Sequence, residues 1–108
     1  MATITFEDWK KLDIRIGEIK GVEEHPNADK LVILKVDLGN ETRNLVAGIK
    51  GYYEEEDLIG KKVVILANLK PAEFRGVKSE GMILAAVNKD HIVLLEPEQD
   101  IVNGAKVM

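Results

Sequence analysis

The chain has 108 residues, 45% of them apolar and 31% charged, which describes one globular domain and excludes a disordered or fibrous chain. It contains no cysteine, which excludes disulfides, thiolate metal sites and a cysteine nucleophile. With a net charge of -4, bulk electrostatics give no case for nucleic acid, so such a partner requires a local basic patch.

Thr5 precedes Phe6-Glu7-Asp8-Trp9, and a hydroxyl followed three residues later by a carboxylate caps a helix start. The spacing predicts a short helix over residues 6–11, with Phe6 and Trp9 on one face. Leu12, Ile14 and Ile16 then alternate with Asp13 and Arg15, the period of a strand. The phase slips at Gly17-Glu18, which predicts a β-bulge and a bend there. His25-Pro26-Asn27-Ala28-Asp29 reads as a turn. Residues 31–38 form a second strand with Val32, Leu34, Val36 and Leu38 on one face, and Gly39-Asn40 turns it into a third over 42–49.

Residues 52–58 carry Glu54, Glu55, Glu56 and Asp57 and read as an acidic loop or short helix outside the sheet. Residues 62–67 are a fourth strand whose continuous apolar run suggests burial on both faces. Residues 68–80 lack periodicity and read as a long loop. A fifth strand follows over 81–87 and a short sixth over 91–95. Short strands, turn signals, one intervening helical segment and a bent first strand predict an all-β fold. The specific expectation is a five-stranded Greek-key OB-fold barrel with a short N-terminal helix and a C-terminal extension. The whole chain is then one domain, with residues 6–95 as barrel and helix and 96–108 as the extension.

Charge is unevenly spread. Residues 1–60 carry eight basic and thirteen acidic side chains, whereas 61–80 carry five basic (Lys61, Lys62, Lys70, Arg75, Lys78) and two acidic. The basic segment contains the 68–80 loop, in the place where OB barrels use the loop between strands 4 and 5 to bind oligonucleotides. Catalysis has little support. Ser79 lacks a nucleophile-elbow context, and Gly76-Val77-Lys78-Ser79 lacks the first glycine of a phosphate loop. His25 and Asp29 have no third metal ligand nearby. The expectation is a non-enzyme without cofactor or metal. The N-terminus has no apolar signal core, and no apolar run reaches bilayer length, so a soluble cytoplasmic chain with no membrane partner is expected.

Four motifs occur in order: Asp13-Ile14-Arg15-Ile16-Gly17, His25-Pro26-Asn27-Ala28-Asp29-Lys30-Leu31, Asn68-Leu69-Lys70-Pro71, and Arg75-Gly76-Val77-Lys78-Ser79-Glu80-Gly81-Met82. Together they resemble the tRNA-binding domain family. That family includes a free-standing dimeric tRNA-binding protein, the C-terminal domain or separate β subunit of methionyl-tRNA synthetase, and a cytokine-like domain of some eukaryotic synthetases.

The resemblance implies sequence-independent binding to the outer corner of tRNA, with catalysis left to a methionyl-tRNA synthetase chain. It implies Asn68, Lys70, Arg75, Lys78, Ser79, Glu80 and Met82 as the RNA-binding loop, with Lys30 and Arg43 added from the barrel. Ala47 departs from the serine that many relatives carry before the glycine. A homodimer is also implied, and Phe6, Trp9, Ile101, Val102 and Val107 are the apolar terminal residues that would form its interface. The alternative is a chaperone-like export dimer of the same superfamily that binds unfolded peptides.

Overall fold

A computed structural model describes residues 1–108. Half of the predicted cap is present: Asp8 N donates to Thr5 Oγ1 at 3.1 Å, opening α1 (Phe6–Trp9), while the Asp8 carboxylate pairs with Lys11 rather than reaching back to Thr5. The helix is two residues shorter than expected. It leads into β1 (Ile14–Glu24), an 11-residue strand that serves two parts of the barrel. The first half of β1 pairs with β4 (Lys62–Leu66), and the second half with β2 (Val32–Asp37).

The bulge lies at Lys20, where the register slips between Ile19 and Gly21, three residues beyond the predicted place. Gly17 has a different role. A Cβ there would overlap Val36 Cγ1 and sit 3.1 Å from Leu38 Cδ2, so the glycine lets β1 cross close over β2.

β2 and β3 (Thr42–Ala47) form the predicted hairpin, with Gly39 at φ +91° in its turn. The alternation holds: Val32, Leu34, Val36 and Leu38 are all buried. The acidic segment contains α2 (Glu55–Leu58), which drives Leu58 into the core and leaves its carboxylates outside. On β4, Val63 and Ile65 are fully buried while Val64 and Leu66 are half-buried, so only one face is core.

Residues 68–80 correct the expectation of an irregular loop. β5 (Ala72–Phe74) and β6 (Val77–Ser79) form a hairpin. Arg75 (φ +51°) and Gly76 (φ +91°) make its two-residue turn, the pair of positive φ values that a type I′ hairpin needs. An arginine at the first position hid the turn, because asparagine or aspartate is the usual signal. The expected fifth strand also splits. β7 (Met82–Ile83) pairs with β4, and β8 (Ala85–Asn88) pairs with β9 (His91–Leu94).

The main sheet runs β3-β2-β1-β4-β7, five antiparallel strands in a nearly closed barrel. Closure occurs between β3 and the segment after β6, where Glu80 N donates to Asn44 O at 2.9 Å. The C-terminal extension folds back on β1. Gly104 N donates to Ile16 O at 2.7 Å, Ile16 N donates to Ala105 O at 2.9 Å, and β10 (Lys106–Val107) pairs with Ile14 and Arg15. No helix is long and apolar enough to cross a membrane.

Candidate nucleic-acid interface

The β5–β6 hairpin stands out from the barrel, with every residue from Asn68 to Gly76 exposed. Lys70, Arg75 and Lys78 are exposed on it, and Lys30 is exposed on the β1–β2 loop. Eight side-chain ion pairs occur in the chain, and none of them uses these four cations. Most other lysines and arginines are paired. The basic charge left free for an external anion is therefore concentrated on this hairpin and the loop beside it.

The two loops touch. His25, only 6% exposed, lies with Nε2 2.7 Å from Phe74 O, and its Nδ1 accepts from Asn27 N at 3.0 Å. Asn27 Nδ2 donates to Arg75 O at 3.0 Å. A cleft of about 370 Å³ opens between the loops, lined by Asn27, Ala28, Asp29, Lys30, Leu31 and Arg75. His25 and Asn27, expected only as turn residues, thus bridge two loops. The signal for more was local: a side chain that binds the amide two residues on copies a backbone turn, and the His-Pro-Asn order permits that.

Several of the residues expected to bind RNA have hydrogen-bond partners within the fold. Ser79 is 3% exposed. Its Oγ accepts from Val46 N at 3.0 Å and donates to Gly81 O at 3.0 Å, so the hydroxyl fills the gap where β3 meets β6. Asn68 Oδ1 accepts from Asp13 N at 2.9 Å, and its Nδ2 donates to Lys11 O at 2.6 Å, tying the N-terminal segment to the end of β4.

Arg43 reaches across the closure. Its Nη1 donates to Ala67 O and, at 3.4 Å, to Glu80 O, while Nε bonds Glu41 at 2.6 Å. The hydrogen bond to Arg43 holds the Glu41 carboxyl below its usual range, and the same bond raises the guanidinium further. Glu80 meets Arg43 through its carbonyl, and its carboxylate makes no hydrogen bond within the chain. Met82 is 47% exposed at the edge beside Leu66. Ala47 is buried in the barrel, so no contact with an outside ligand comes from that position.

The terminal apolar residues divide into two groups. Phe6, Trp9 and Val107 line one groove of about 530 Å³ with Lys10, Leu12, Lys106 and Met108. Ile101 and Val102 are exposed farther along β1, where Lys62 Nζ donates to Ile101 O and Asn103 Nδ2 to Glu18 Oε1. The separation between Ile14 and Glu18 along a strand is about 13 Å.

The model of the family described as "Putative tRNA binding domain" matches residues 14–106. The chain is 54% identical over 107 residues to "Methionine--tRNA ligase" of Pyrococcus horikoshii, covering 99% of this chain and 15% of that protein. It thus spans about one seventh of the length of the curated relatives it matches.

Two solved structures share its fold along their full lengths. The MetRS related protein from Pyrococcus horikoshii superposes with a TM-score of 0.92 at 35% identity, covering 100% of both chains. The chaperone CsaA from Bacillus anthracis superposes with a TM-score of 0.92 at 35% identity, covering 99% of this chain and 100% of that one. The free cations on the β5–β6 hairpin thus sit on a barrel whose sequence, from the first strand to the last, places this chain in the tRNA-binding domain family.

Proposed function

We propose that the chain is a non-catalytic module that binds tRNA by shape and phosphate position and serves methionyl-tRNA synthesis. It would do so either as a domain appended to the synthetase or as a separate subunit acting in trans, in the cytoplasm where tRNA is charged. The observation that carries this reading is the set of unpaired cations Lys30, Lys70, Arg75 and Lys78 on two adjoining loops of an otherwise acidic surface. Phosphate contacts fix the position and orientation of a nucleic acid without reading its sequence, which suits a module that accepts any tRNA. The acidic remainder of the surface repels RNA elsewhere and confines it to this patch. Met82 adds an exposed apolar side chain for a base or sugar. Aminoacylation is assigned to a catalytic chain, since the matching ligases extend far beyond this stretch.

The terminal groove supports a homodimer, in which Phe6, Trp9 and Val107 meet their counterparts and the β5–β6 hairpins stay exposed. Ile101 and Val102 then lie at the far end of the same edge. A second reading has an observation of its own. The groove is mostly apolar, and the likeness to the chaperone CsaA suggests a seat for unfolded peptide. Titrating the chain with folded tRNA, heat-unfolded tRNA and an unfolded peptide separates the two. Tightest binding to folded tRNA is expected, and preference for the peptide would overturn the tRNA reading.

A further inference from the structure

We propose that His25 and Asn27 are positioning residues: they latch the β1–β2 loop to the tip of the β5–β6 hairpin, so that Lys30 and Arg75 are presented as one preset phosphate seat. This rests on the tRNA-binding reading and assigns to two residues without free charge a part in it. The hairpin needs such a latch. Its strands are three residues each, and β5 is exposed throughout. An isolated two-stranded ribbon of that size is at best marginally stable in water. At its base it is anchored by the Ser79 hydroxyl and the Glu80 amide. At its tip, hydrogen bonds from outside the hairpin come from His25 and Asn27 alone.

The chemistry of the latch is determined by its partners. Phe74 O can only accept, so His25 Nε2 carries the proton at that 2.7 Å contact. Nδ1 is then the acceptor for the Asn27 amide, and the two roles together specify one tautomer. Asn27 in turn holds the carbonyl of Arg75, the residue at φ +51°. A non-glycine residue in that region is strained, and it persists when its surroundings hold it. Pinning the Arg75 carbonyl therefore holds the turn in the conformation that brings Arg75 to the same cleft as Lys30. A preset seat avoids the ordering cost that a loose hairpin would pay on binding.

The test uses the full chain, folded tRNA and the variants Asn27→Ala, Arg75→Ala and their combination. Asn27 is exposed, so its loss leaves the core intact. Amide exchange of the β5–β6 residues, measured without RNA, is expected to speed up about tenfold in Asn27→Ala. Its tRNA affinity is expected to fall about three- to tenfold, the worth of one hydrogen bond. The slope of log affinity against log salt should drop by about 0.7–0.9, as for one lost phosphate contact. In the Arg75→Ala background, Asn27→Ala should weaken binding no further.

A residue that merely supported the fold would add its cost in both backgrounds and leave the slope alone, and that result overturns the proposal. Unchanged exchange overturns the latch whatever RNA does. Faster exchange with unchanged tRNA affinity overturns the positioning role. Failure of the unaltered chain to bind folded tRNA overturns the functional reading itself, and is distinguished because exchange still reports the latch.

Discussion

Replacing Ser79 with alanine distinguishes a residue that closes the barrel from one that touches RNA. The hydroxyl makes two bonds at 3.0 Å, one from Val46 N and one to Gly81 O. Alanine makes neither, and water has little access to a site where Ser79 is 3% exposed. Leaving a buried amide or carbonyl without a partner costs about 1–3 kcal/mol. Val46 lies at a half-buried edge where water offsets part of its loss, so the sum is about 2–3 kcal/mol. For a domain of this size, each 1 kcal/mol shifts Tm by about 4–8 °C, which predicts a fall of about 10–20 °C. Circular dichroism melts and urea titrations measure it. Well below the new midpoint, tRNA affinity should fall no further than a hairpin loosened at its base allows, about three- to tenfold. A Tm within about 3 °C of the original together with a large loss of tRNA binding would refute the closure argument and return Ser79 to the RNA face.

The triple variant Lys70→Ala, Arg75→Ala, Lys78→Ala should weaken binding to all tRNAs alike, with a log-log salt slope smaller by about 2–3 if each contacts one phosphate; unchanged binding removes the hairpin from the site. The hydrogen bond from Arg15 holds the Asp13 carboxyl below the ordinary aspartate value of 3.8. A lowered folded-state value contributes stability above the unfolded value and loses it as pH falls through the folded one. The stability gap between the unaltered chain and Asp13→Asn should therefore close in urea titrations as pH drops below 3.8, and a gap independent of pH would contradict this. Phe6→Glu, at an exposed residue of the terminal groove, should give monomers in sedimentation at tens of micromolar with the barrel intact. Truncation after Asp100 is a poorer test, because it strips residues 103–107 from the β1 edge and attacks the barrel itself. An unaltered chain that sediments as a monomer would end the dimer proposal.

Much of the barrel could be read from the chain because its causes are local. Period-two alternation in residues 31–38 specifies which side of β2 is core, since a strand puts successive side chains on opposite faces. Thr5 and Asp8 are close enough in sequence to announce the cap. The four family motifs were visible as strings, and so was the basic character of residues 61–80.

What sequence alone could not decide was which polar side chains are spent inside the fold. Ser79 is bound across the barrel closure to Val46, Arg43 reaches Ala67 and Glu80, and Asn68 holds Lys11 and Asp13. Their partners lie between 24 and 57 residues away in the chain, apart from Ser79's second bond. A hydroxyl, an amide or a guanidinium is the same letter whether it faces water or a buried carbonyl, and only the closing of the barrel brings those carbonyls to it. The Arg75-Gly76 turn failed to show for a related reason. An arginine has little preference of its own for positive φ, and it is held there by Asn27, a residue 48 positions earlier in the chain. The composition of the basic hairpin was thus written locally, while its shape and its approach to the Lys30 loop were set by contacts that exist only after folding.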